Sequence, residues 1–231
     1  MKMPVLFVGH GSPMNAIEEN SFTGALRDVR KKLPTPTAVC VVSAHWVTSG
    51  CRVLDVPWPK TIHDFYGFPQ RLYEVQYPAP GAVQEAKRLA MEHHLVTGAR
   101  MVQADFEYRH VRLGVEMAEY APGAVVQPPL MIVHNLHKIN WEMPHAAYAS
   151  AEEFDLKVKE AIDKHDVESL SAPDRWGTSL LAEAHPTLEH YAPILYCLGS
   201  TDERDRVSYP YEGMEFGTIS MRMALFEAAG A

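Results

Sequence analysis

The chain has 231 residues, 21 basic against 29 acidic, for a formal net charge of −8. Acidic residues spread along the chain speak against a nucleic-acid partner or an anionic membrane surface, and no apolar run approaches the ~20 residues of a membrane span. The cysteines, Cys40, Cys51 and Cys197, are odd in number and form no C-x-x-C pair, as expected in a reducing cytoplasm. The N-terminal apolar run is too short for a secretory signal. The length suits one core-forming domain over residues 1–231.

In chain order, the first signal is Pro4-Val5-Leu6-Phe7-Val8, closed by Gly9-His10-Gly11-Ser12-Pro13. A short apolar run between turn formers predicts a buried strand. In open α/β sheets ligands sit beyond the carboxyl ends of strands, which is where His10 falls. A helix is predicted from Ser21 to Lys32, stopped by Leu33-Pro34-Thr35-Pro36. A second strand, Thr37 to Ala44, ends at His45-Trp46, and a third covers Arg52 to Val56. Pro57 to Pro69 is rich in proline and aromatics, and a loop of this length is expected to cover a pocket.

The next helix is predicted over Ala82 to His94, with Val83, Ala86 and Ala90 on one face. Residues 99–110 are mixed, Val111 to Tyr120 reads as helical, and Ala124 to Gln127 as a strand. Pro128 and Pro129 then stand directly before a third histidine-bearing strand, Pro129 to Val133, which ends at His134-Asn135. Parallel neighbours need a crossover of a dozen or more residues, and two prolines cannot both join a central ladder. Either residues 124–127 are not a core strand, or a joining segment is absent from this sequence. Ser150 and Glu153 have capping-box spacing before a helix with Phe154, Val158 and Ile162 on its apolar stripe. Thr187 is a candidate N-cap for a helix to Leu198, with His190 in its first turn and Gly199 as its stop. In the tail, Gly217 to Met221 is strand-like between more polar ends.

Twelve histidines are the unusual feature. His10, His45 and His134 each follow a strand-like run, and neutral imidazole is the commonest protein metal ligand. His190 would supply a further ligand from another element. Glu189 is its carboxylate alternative, since adjacent helical residues do not face the same way. His63 could bind substrate or cap the loop, and His110 could be an acid–base group or simply exposed. His185, Thr187 and Tyr191 are assigned to a local turn, and His93, His94, His137, His145 and His165 to the surface or helix ends. Ser12 and Ser43 lack a G-x-S-x-G elbow, and there is no P-loop or G-x-G-x-x-G.

Six segments recur in one order: His10-Gly11-Ser12-Pro13, Ser43-Ala44-His45-Trp46, His63 to Pro69, Tyr77-Pro78-Ala79-Pro80-Gly81, Val133-His134-Asn135-Leu136, and His185 to His190. Over most of its length the chain resembles the class III extradiol ring-cleaving dioxygenases of the 4,5-DOPA dioxygenase branch. The resemblance implies an α/β fold, with a mixed central β-sheet flanked by helices on both faces. It implies a non-haem Fe(II) site, often filled by Zn(II) in purified protein. His10, His45 and His190 correspond to its metal ligands, with His134 as a fourth ligand or the catalytic acid–base. His110 would assist catalysis, and Ser12, His63 and Phe65 would contact substrate. Partners would be a catechol and O₂, with the protein a monomer or small homo-oligomer. The family carries Asp-His-Gly-x-Trp where this chain has Arg109-His110-Val111-Arg112-Leu113, and a helix with a Ser-Gly-Asn lead-in where it has Pro128-Pro129-Leu130-Met131. Segments near His110 and between Gln127 and Pro128 are therefore expected to be missing from this sequence. Two alternatives stand beside the dioxygenase: a tetrapyrrole metal chelatase, which also opens with a strand and His-Gly-Ser, and a non-catalytic metal-binding relative.

Overall fold

A computed structural model describes residues 2–45, 52–63, 65–77, 79–92, 96–97, 124–126 and 129–229. The fold is organised around β1 (Val5–Gly9), which is buried along its whole length. Successive side chains of a strand point to opposite faces, so a strand this apolar needs a cover on both. Val5 and Phe7 enter one core with Phe154, Val158 and Ile162 of α4 (Ala149–Asp163) and Ile194 and Leu198 of α7 (Pro193–Gly199). Leu6 and Val8 enter a second core with Phe22 and Val29 of α1 (Ser21–Lys32). The sheet thus has helices on both faces, as expected.

The four-stranded sheet has the order β6-β1-β10-β7, with β6 (Pro129–Leu130), β10 (Met223–Glu227) and β7 (Arg206–Ser208). β6 runs parallel to β1, with Gly9 opposite Leu130. β10 runs antiparallel to both β1 and β7, with Phe7 opposite Ala224. Three two-stranded sheets complete the described strands. β2 (Ala38–Cys40) pairs in parallel with β5 (Ala124–Val126), and β3 (Arg52–Val53) with β4 (Val96–Thr97). β8 (Met214–Glu215) pairs antiparallel with β9 (Ile219–Ser220).

The junction before His134 takes a form that needs no crossover between its two strands. β5 pairs with β2 and β6 with β1, so the two belong to different ladders. Pro129 lies on the sheet edge, where a missing N–H is tolerated. The Gln127–Pro128 link and the segment around His110 lie outside the described residues, as do Trp46 and the expected helix at residues 111–120.

α1 starts where expected, because Asn20 and Thr23 form a reciprocal capping box. Three expectations need correction. The runs ending at His45 and His134 are strands only over Ala38–Cys40 and Pro129–Leu130, and the remainder is irregular chain, bend and turn, with an isolated bridge from His134 to Ile219. α4 starts one residue before Ser150, on Tyr148, with no side-chain cap bond. Phe154, Val158 and Ile162 are buried as read. α7 begins at Pro193 rather than after Thr187, so His190 sits in the turn before it; Gly199 does end the helix. α2 (Gln70–Tyr73) and α3 (Val83–Glu92) follow the aromatic loop. α5 (Val167–Ser171) and α6 (Thr178–Ala184) lead from α4 to that turn. No described helix is long and apolar enough to cross a membrane.

Candidate metal centre

His10 follows β1 directly. Its main-chain carbonyl accepts the Asn15 amide at 3.0 Å, and Asn15 is held in turn by Asn20 at 2.9 Å. The chain reverses at Gly11 (φ +57°), a conformation that costs glycine little. His10 Nδ1 lies 2.8 Å from the Gly11 carbonyl. A carbonyl can only accept, so Nδ1 carries the proton and Nε2 keeps a lone pair.

His45 sits in the turn beyond β2, with its N–H donated to Ser43 Oγ at 3.1 Å. His190 sits in the turn between α6 and α7, with its main-chain carbonyl accepting the Met131 N–H at 3.3 Å. His190 Nδ1 lies 3.3 Å from Glu189 Oε1, and that oxygen also accepts the Thr187 hydroxyl at 2.8 Å. The hydrogen bond from His190 and then that from Thr187 hold the Glu189 carboxyl near about 2, against the opposing effect of burial. The ionised carboxylate fixes the His190 proton on Nδ1 and leaves Nε2 as donor.

These three rings converge. One nitrogen from each of His10, His45 and His190 lies within 4.8 Å of the other two. Ring centroids are 5.2, 5.6 and 5.2 Å apart, and the Nε2 atoms of His10 and His45 are 3.4 Å apart. His190 is buried, His10 half-buried and His45 exposed.

His134 stacks on His190 at 3.7 Å between centroids and 20° between planes. Its N–H donates to the Ala184 carbonyl at 3.0 Å, and the next residue, Asn135, donates its side-chain amide to the Glu183 carbonyl at 2.8 Å. Burial, reinforced by the neighbouring His190, His185 and His10, drives the His134 imidazolium down to about 2. At neutral pH the ring is an uncharged base. His134, Glu189 and His190 form a second group of converging ligand atoms.

The donor set suits a borderline divalent metal: neutral imidazoles, two of them with a lone pair fixed on Nε2 by a partner at Nδ1. The other described residues expected at the site have local partners of their own. His63 Nε2 lies 3.0 Å from the Val75 carbonyl, and His63 packs against Phe65 and Tyr73, with Phe65 also against Phe68. Ser12 Oγ accepts the Met14 N–H at 3.2 Å, a local cap. His110 is outside the described residues. His185, read from sequence as a turn residue, is buried with Nε2 2.6 Å from the Ile132 carbonyl. Sequence reasoning weighed Glu189 as a ligand and missed its hold on His190; its position beside the histidine was the available signal.

Strands and turns that gather imidazoles from remote parts of the chain define an α/β protein with a histidine group that could hold a metal ion. No family profile matches the chain. It is 34% identical to the 4,5-DOPA dioxygenase extradiol of Escherichia coli (strain K12), covering 95% of this chain and 93% of that one. It is 25% identical to the 4,5-DOPA dioxygenase extradiol of Portulaca grandiflora, covering 92% of each. The crystal structure of an uncharacterized protein from Escherichia coli K12 superposes with a TM-score of 0.79 at 27% identity, covering 97% of this chain and 100% of that one. The chain belongs to the extradiol 4,5-DOPA dioxygenase family, whose chemistry is that of a dioxygenase and which implies a non-haem metal. The first alignment runs over 257 positions, more than the 231 residues of this chain, so the relative has residues opposite gaps here.

Proposed function

We propose that this protein is a metal-dependent extradiol dioxygenase that opens a DOPA-like catechol with O₂ to a semialdehyde. The convergence of the His10, His45 and His190 nitrogens within 4.8 Å carries this reading. These three residues hold the metal, with His134 beside them as acid–base and potential fourth ligand. Fe(II) is the metal for activity, and Zn(II) is the one expected to be retained through purification. A bound divalent metal supplies Lewis acidity toward the catechol oxygens and a redox partner for O₂.

The chain's own residues supply the rest. His134, stacked on His190 at the edge of the cluster, is the group placed to take a proton from a catechol hydroxyl onto a ring nitrogen and to return it when the ring opens. Both oxygen atoms of O₂ enter the product, so no external reductant is required. Glu189 holds His190 in the ligating tautomer. The loop with His63 and Phe65 forms an aromatic wall suited to a flat ring, with Ser12 at the His10 turn and His110 as a second acid–base group. The whole chain acts as one catalytic domain in the cytoplasm, where Cys40 and Cys197 are free thiols.

The test is anaerobic loading with Fe(II), followed by L-DOPA and oxygenated buffer. O₂ uptake matched by a yellow semialdehyde supports the proposal. Tight metal binding with no product from any catechol would favour the non-catalytic relative, a reading that draws on the residues this chain lacks against the E. coli relative. Family membership leaves the chelatase reading without support.

A further inference from the structure

Two charges lie in the core where the proposed chemistry does not use them. Asp155 of α4 and Arg222, between β9 and β10, are each 5% exposed. Arg222 Nε lies 3.2 Å from both Asp155 oxygens, Nη2 makes a further bond to Oδ2, and Nη1 reaches the exposed Glu212 carboxylate. Ser220 Oγ donates to Asp155 Oδ1 at 2.6 Å. A buried ion pair adds little net stability, because desolvation offsets the attraction and a packed apolar pair often does as well. Its consequence here is positional: it anchors residues 220–222.

That segment touches two of the three strand ends that carry candidate site histidines. The Ser220 N–H donates to the Val133 carbonyl at 3.1 Å, beside His134. The Gly9 N–H donates to the Arg222 carbonyl at 2.9 Å, beside His10. Between them Met221, fully buried, fills the space under Gly11, where an added Cβ would meet its sulfur at 2.2 Å. The Gly11 carbonyl is the partner of His10 Nδ1.

We infer that Asp155 and Arg222 are positioning residues for the histidine site, clamping the 220–222 segment that spaces His10 from His134. Neither touches the site; they act through the backbone of that segment. The inference rests on the metal-site reading above.

The test is calorimetric titration of the metal-free full chain with Zn(II), paired with thermal melts, so that the readout is independent of turnover. The double variant Asp155→Leu/Arg222→Met removes both charges together and should melt near wild type while binding Zn(II) roughly 10-fold more weakly. Arg222→Lys keeps the charge but cannot span Asp155 and Glu212 with one fork; it should also bind more weakly, and it carries the test alone if the double variant does not fold. Folded variants that bind Zn(II) as tightly as wild type would overturn the clamp and leave the metal site standing. Wild type that binds no Zn(II) overturns the metal site itself, and the clamp with it.

Discussion

His190 is suited to the proposed ligand role by what its other nitrogen does. Glu189 accepts from Nδ1 and is itself held by Thr187. Replacing Glu189→Gln keeps an acceptor oxygen but removes the charge that makes the ring more basic. Metal affinity should fall by roughly 10-fold, a typical cost for an outer partner of a ligating histidine; Zn(II) titration at pH 7 gives the comparison, and an unchanged affinity would release Glu189 from this role. His185 answers a different question, the protein's behaviour in acid. Burial lowers its imidazolium to about 4, opposed by its bond to the Ile132 carbonyl. The unfolded ring titrates near ~6.5. Below that pH the unfolded chain binds a proton that the folded chain refuses, so stability falls from about pH 6.5 down to pH 4 and is flat above. A His185→Met variant lacks this limb. Between pH 7 and pH 4 it should lose about 3 kcal/mol less stability than wild type, as read from urea unfolding at the two values; equal losses would contradict the neutral buried ring. At this scale sequence reasoning reached the four clustered histidines, because each stands at the end of an apolar run or beside a proline-rich turn. It could not reach the Asp155–Arg222 pair, since a charge within a helix or an apolar run carries no mark of burial.

Among the elements, β1 and α1 were legible because their signals are local: an apolar run between turn formers, and a proline-marked stop. β10 was not. It is buried on both faces, so it lacks alternation, and Arg222 just before it made the region read as a polar end. α7 was placed too early because Thr187, a good cap by type, spends its hydroxyl on Glu189. The contact between β1 and the chain entering β10 is tight enough to test. A Cβ on Gly9 would meet the Ser220 carbonyl oxygen at 2.6 Å, the Met221 carbonyl carbon at 2.9 Å and the Arg222 carbonyl oxygen at 3.0 Å. All three are backbone atoms, which cannot swing aside as a side chain would. Gly9→Ala should therefore cost about 1–3 kcal/mol, the range for overpacking a filled core, and should weaken metal binding because His10 is the next residue. A variant that melts with wild type would show that this approach is looser than drawn.

For the molecule as a whole, His10, His45 and His190 are separated by long stretches of chain and meet only when the sheet and both cores have formed. A metal that needs all three binds the native state and not the unfolded one, so its binding energy is added to the stability of the fold. At 100 times the dissociation constant the gain is about 2.7 kcal/mol. A domain of this size shifts by roughly 2–4 °C per kcal/mol, so Zn(II) should raise the melting temperature by about 5–10 °C and a chelator should reverse it. His45→Ala supplies the control: its ring is exposed and supports no core, so the metal-free variant should melt with wild type yet respond weakly to Zn(II). If the variant gains as many degrees as wild type, the metal is bound somewhere other than the three-histidine rim, and the link between this fold and dioxygenase chemistry is broken at its first step.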